Sequence, residues 1–166
     1  MKKFIVFIAA ICILFSNPLN GQNGKFEQAM GQQMQKLGTA SNSEQFSEIS
    51  NGFYRIAEAE KTRWEPYYNA AYTQLIAGFI AMGSDMNLAQ TKVNQAQEYL
   101  AKINDMEKSA DAKSEINVLE AYALIAKVNE DPINNGALYS EKVHQLLDRA
   151  MALNKTNPRA LYLKGM

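Results

Sequence analysis

Residues 147–165 read LDRAMALNKTNPRALYLKG, and the fold is decided by how this stretch is parsed. Leu147, Ala150, Met151 and Leu153 hold one apolar helical face. Asn154, Lys155, Thr156 and Asn157 then break it. Pro158 follows, with Asn157 in front of it as a helix cap. Proline suits the first helical position because the N–H it lacks has no helical partner there. The stretch is therefore the end of one helix, a tight polar joint and the start of another. That unit is the template for the rest of the chain.

Upstream, the same signals recur. Phe26, Met30, Met34 and Leu37 predict a weak amphipathic helix, rich in Gln, interrupted by Gly31 and stopped by Gly38. Ser41 with Glu44 is a capping-box pattern opening a second helix, whose face is Phe46, Ile49, Phe53, Ile56 and Ala57. Pro66 marks the start of a third, striped by Tyr68, Ala71, Tyr72, Leu75, Ile76 and Phe79, with Gly83 as its C-cap. Ser84-Asp85 caps a fourth, carrying Ala89, Val93, Ala96, Leu100 and Ile103.

Ser109 and Asp111 offer caps for a fifth helix starting near Ala112. Ile116, Leu119, Ala123 and Ala126 lie on one of its sides, with Val118, Ala121, Tyr122 and Ile125 on the other. A helix apolar on both sides lies buried between neighbours. Asp131-Pro132 and Asn135-Gly136 read as turns before a sixth helix aligned on Tyr139, Val143, Leu146, Leu147, Ala150 and Met151.

No alternating strand pattern occurs, so the fold class is all-α. Short joints make successive helices antiparallel neighbours. Pro66 and Pro158 lie 92 residues apart, and the fifth helix starts midway, which suggests stacked helical hairpins with a period near 46.

The first residues have a different character. Lys2 and Lys3 precede an apolar run from Phe4 to Phe15, followed by Ser16, Asn17, Pro18, Leu19, Asn20 and Gly21. This is the pattern of a secretory signal peptide over residues 1–21, leaving a helical domain over 22–166. Twelve apolar residues in a helix cover roughly 18 Å against about 30 Å of bilayer hydrocarbon, so no stable membrane insertion is expected after cleavage. The expected location is periplasmic or secreted. Cys12 sits inside the apolar run after bulky Ile11, the wrong place for a lipid-modified cysteine. Its removal with the signal leaves no cysteine for disulfide or thiolate chemistry.

Taking Lys2 and Lys3 from 17 basic residues leaves 15 against 17 acidic ones, a formal charge of −2. With no basic block, nucleic acid is not an expected partner.

Residues 150–165, AMALNKTNPRALYLKG, resemble the junction between two tetratricopeptide repeats. Ala150 matches that family's small packing position, Tyr162 its aromatic and Gly165 its close-approach glycine, while Lys155 stands where the family has proline. Residues 64–71, WEPYYNAA, match the first-helix pattern with Ala71 in place of the glycine. The resemblance implies antiparallel hairpins stacked as a short α-solenoid that binds a protein or peptide partner. The family period is 34 residues, so the repeats here are divergent. The signal peptide and repeat style together also resemble exported proteins of the Bacteroidota. On this template the last helix is only just opened before Met166, and the natural protein is expected to continue.

Trp64, Tyr67, Tyr68 and Tyr72 cluster at a helix start, where amphipathic rings can stack on sugars or peptides or fill space between hairpins. Asn69 stands near where the repeat family holds a peptide backbone or terminal carboxylate. Trp64, Tyr67 and Asn69 are therefore the candidate ligand-binding residues. His144 is the single histidine, with Asp148 one turn away, and reads as a surface or packing residue. Glu58, Glu60, Glu65, Asp131 and Asp148 show no spacing that selects a catalytic pair. Phosphate loops, paired-cysteine sites and nucleophile elbows are absent. No catalytic residue, cofactor or metal is assigned. The expectation is an exported, non-enzymatic interaction module, with a glycan-binding or glycan-processing envelope protein as the alternative.

Overall fold

The computed structural model describes residues 21–106 and 108–165. The expected signal peptide lies outside them except for Gly21, which begins the first helix. Seven helices and no strand occur among the described residues: α1 (Gly21–Leu37), α2 (Ser43–Glu60), α3 (Trp64–Ala81), α4 (Met86–Ala101), α5 (Ala110–Glu130), α6 (Pro132–Leu153) and α7 (Pro158–Lys164).

Each helix packs on the next, and α3 also touches α5, as α5 touches α7. Side-chain bonds give the relative directions. Ser43 at the start of α2 donates to the Ala77 carbonyl near the end of α3 (2.8 Å), and Ser50 donates to Ala70 midway (2.8 Å). Ser114 near the start of α5 donates to Ala150 near the end of α6 (2.8 Å). Both pairs are antiparallel.

Several caps follow the sequence. Asp85 accepts from the Leu88 N–H and Ser109 from the Ala112 N–H. Asn157 accepts from the N–H groups of Arg159 and Ala160, with Pro158 at the first position. These side chains satisfy N–H groups that a helix start leaves without partners.

Other local readings shift. The cap of α2 is Asn42, which accepts from Gln45 N–H, while the Gln45 side chain reaches back to the Ser41 N–H. α3 begins two residues before Pro66, which its first turn tolerates because no helical acceptor waits for that position's N–H. α1 runs through Gly31, where a side chain would meet nothing within 4 Å. Asn135-Gly136 is not a turn. Asp131 alone links α5 to α6 and caps α6 through Asn134 N–H, so the helix is established before Gly136 is reached. Gly83 takes no left-handed conformation; α3 ends at Ala81 with Met82 as its C-cap, and the one positive φ among the described residues belongs to Lys61, the C-cap of α2.

Gly78 is a position of close helix approach. A Cβ on Gly78 would lie 3.0 Å from Val93 Cγ2, so α4 seats directly on the α3 backbone. A Cβ on Gly165 would meet only carbonyls of its own last turn.

Two apolar cores result. The larger draws on α1 to α5, with Phe53, Leu75, Val93 and Ile103 at its centre. The smaller joins α5, α6 and α7 through Val118, Leu124, Leu147 and Leu163. α5 gives Ile116, Leu119, Ala123 and Ala126 to the first and Val118 and Ala121 to the second, as its two-sided pattern predicts. The most enclosed helix, however, is α3, buried without a break from Pro66 to Gly78.

Candidate functional site: an aromatic groove over α3, α5 and α7

The side of the molecule formed by α3, α5 and α7 carries a row of aromatic rings. Tyr68 and Tyr72, one turn apart on α3, face α5 and α7. With Val118, Leu119 and Tyr122 from α5, and Arg159 and Leu163 from α7, they line a narrow depression with about 20 Å³ of free space. Trp64 closes one end edge-on to Tyr68 (5.8 Å between centroids, 77° between planes). Phe79 extends the row by stacking on Tyr122 at 4.5 Å and 28°. Offset or edge-on packing sets the electron-poor rim of one ring against the face of another. Tyr162, 55% exposed, lies close enough to Tyr122 to act on it electrostatically.

One carboxylate organises the polar side of the groove. Glu115 accepts from the Tyr68 hydroxyl (3.2 Å) and from the Asn157 side-chain amide (3.0 Å), and it pairs with the Arg159 guanidinium. The same Asn157 amide donates to Ser114 Oγ (2.9 Å), so the joint before α7 is bolted to the start of α5. Asn157 is fully buried and every one of its contacts serves position, not ligand. The Glu115–Arg159 pair is still partly solvated, with 23% and 14% of the side chains exposed. Burial pushes the phenols of Tyr68 and Tyr72 above their ordinary value and that of Tyr122 up to about 12. All three stay neutral at physiological pH, able to donate a hydrogen bond but not to carry charge.

The three sequence-predicted residues are not brought together. Trp64 is half-buried at the end of the groove. Tyr67 is buried on the side facing α2 and α4: its hydroxyl donates to Glu58 Oε1 (2.9 Å) and its ring meets Tyr54 edge-on at 6.1 Å. Tyr54 in turn stacks on Tyr99 at 4.6 Å, and Lys102 lies over the Tyr54 and Tyr67 rings while pairing with Glu58. Asn69 is buried, and its amide donates to the Glu65 carbonyl of its own helix (2.8 Å).

Sequence reasoning assigned Tyr68 and Tyr72 to the core stripe, and missed Tyr122, Glu115 and Arg159 as groove residues. The legible signal for Arg159 was its place in the first turn after Pro158. Glu115 and its partner lie 44 positions apart, and no local pattern links them.

The acidic residues singled out from sequence have structural neighbours. Glu58 pairs with Lys102, Glu60 with Arg63 at 3.9 Å, and Asp148 with Lys164 at 2.5 Å; Asp131 caps α6. Glu65 Oε2 is buried with no hydrogen-bond partner among the described residues. His144 is exposed. Among the described residues no three His, Cys, Asp or Glu side chains gather as a metal site, and no helix is long and apolar enough to cross a membrane. Set against known protein families, curated proteins and solved structures, the chain has no significant match.

Proposed function

We propose that this chain is an exported interaction module, a short α-solenoid of divergent tetratricopeptide-like hairpins that binds a protein or peptide partner along the groove over α3, α5 and α7. The observation that carries the reading is the shared surface of these alternate helices, whose aromatic row ends in the half-buried Trp64 and the exposed Tyr162. The three helices start 46 and 48 residues apart, so equivalent turns come side by side. A partner would spread over the rings, which lose little conformational freedom on binding, and would find Glu115 and Arg159 beside them for its backbone or end groups. The reading includes no catalytic step, cofactor or metal. Export rests on the amino-terminal pattern of two lysines and an apolar run.

Trp64 and Tyr67 stacked in an open cleft facing a buried carboxylate would favour the glycan alternative. Tyr67 is buried against Glu58 and Trp64 sets its edge on Tyr68, so no observation favours it.

Photo-cross-linking tests the proposal. A photoreactive residue at Tyr162 should capture one defined partner from cell-envelope extract, and the same residue at exposed His144 should not. Capture that is equal at both positions, or unchanged by a second substitution Tyr122→Ala in a folded protein, would refute the groove.

A further inference from the structure

A second cleft, away from the aromatic groove, opens between α4, α5 and α6 and holds about 210 Å³ of free space. That is below the roughly 300–1,000 Å³ usual for drug-sized ligands and suits a smaller molecule. Its apolar lining includes Leu100 of α4, Leu124 of α5 and Leu146 of α6. Two ionisable groups share it: Glu120 from α5 and Lys142 from α6.

Glu120 is half-buried, and no described residue hydrogen-bonds or ion-pairs with it. Burial raises its carboxyl above the ordinary value, against the pull of Lys142, Arg149 and Lys108 at longer range. Lys108 is already committed, since its ammonium donates to the carbonyls of Ile103 and Asn104 in the turn after α4. Lys142 and Arg149, both exposed, lie two turns apart on α6. The cleft thus offers a carboxylate on α5 without a contacting cation, an ammonium on α6 and apolar lining from three helices. Unpaired charge at a partly dry site is costly, and a ligand that supplies the missing partner removes that cost.

We propose that this cleft binds a short apolar peptide with free ends, its ammonium on Glu120, its carboxylate on Lys142 and its side chains on Leu100, Leu124 and Leu146. Arg149 adds positive field on the carboxylate side. The site is independent of the groove and does not rest on the solenoid reading.

Titration of the full chain with Leu-Leu, followed by amide NMR, tests it. Saturable shifts at Ala123, Leu124 and Leu146 are expected. N-acetyl-Leu-Leu, which lacks the ammonium, and Leu-Leu amide, which lacks the carboxylate, should each bind at least about tenfold more weakly, as loss of one charge-assisted bond implies. Glu120→Gln and Lys142→Met should do the same to Leu-Leu, with helicity by circular dichroism as the folding check. No saturable shift at millimolar Leu-Leu, or equal affinity for the capped peptides, would overturn the proposal. The capped peptides decide the matter on the unaltered protein should either variant fail to fold.

Discussion

α3 and α6 are helices of 18 and 22 residues, yet α3 buries fourteen of its positions and α6 only four. α3 sits among α2, α4 and α5, whereas α6 has α5 on one side and little beyond α7 to cover the rest. Ile133 and Leu138 of α6 remain 89% and 64% exposed. A helix in the middle of a stack loses its amphipathic signature, because every face is inside. A flanking helix keeps a clean stripe, and its periodicity is easier to read for that reason.

The contrast can be broken most sharply by truncating each core. Phe53→Ala, at a fully buried site in the larger core, should cost about 3–5 kcal/mol. Leu147→Ala in the smaller should cost about 2–3 kcal/mol, because fewer helices surround the cavity and they can collapse into it. Urea denaturation measures both. Equal losses would show that the α6 side is as tightly constrained as the centre.

Asn157→Ala comes next. It removes the cap of α7 and leaves Ser114 and Glu115 short of a donor, for an expected loss of about 2 kcal/mol. Hydrogen exchange should show α7 loosened and α3 protected as before. Loss of protection in α3 would mean that the two cores open as one.

Lys61→Gly should act in the other direction. Lys61 holds φ 49°, a conformation that suits glycine, so the change should stabilise by up to about 1 kcal/mol in a thermal melt. No gain would show that the lysine side chain contributes contacts worth the strain.

The smallest effect is a pH dependence of opposite sign in the two regions. Glu120 has its folded pKa raised by burial from the ordinary 4.5, so its contribution is present at pH 4 and is lost as pH rises through the folded value. Glu120→Gln should therefore gain on the unaltered protein between pH 4 and pH 7. Glu58, held low mainly by the Tyr67 hydroxyl with help from Tyr54 and Lys102, contributes in the reverse sense: its stabilisation is present at neutral pH and lost in acid. Glu58→Gln should thus lose relative stability over the same interval. Parallel curves for the two variants would contradict both assignments.

These differences also mark what the residues alone could reveal. The stripes of α2, α4 and α6, the two-sided pattern of α5 and the caps Asp85, Ser109 and Asn157 are local signals, and local chemistry decides them. The full enclosure of α3 was hidden because Asn69, Thr73 and Gln74 look like a solvent face. Thr73 satisfies its hydroxyl on the Asn69 carbonyl (2.7 Å) and the Gln74 amide nitrogen donates to Gln95 (2.5 Å), although Gln74 Oε1 is buried with no partner among the described residues. The groove was half legible. Tyr67 and Tyr68 are adjacent in sequence but about 100° apart on a helix, and only the positions of the neighbours send one to Glu58 and the other to Glu115.

The single-residue link at Asp131 has a kinetic consequence. The α5–α6 hairpin closes almost no loop, so the chain entropy lost in forming it is near the minimum for any helix pair. Its contacts are also short-range near the link, as in the bond from the Asn135 amide to the Lys127 carbonyl. By contrast, the contact of α3 with α5 must wait for the intervening α4 to be placed. Folding that begins at this corner would present α5 already half-covered, with its other face ready to receive α3 and α4.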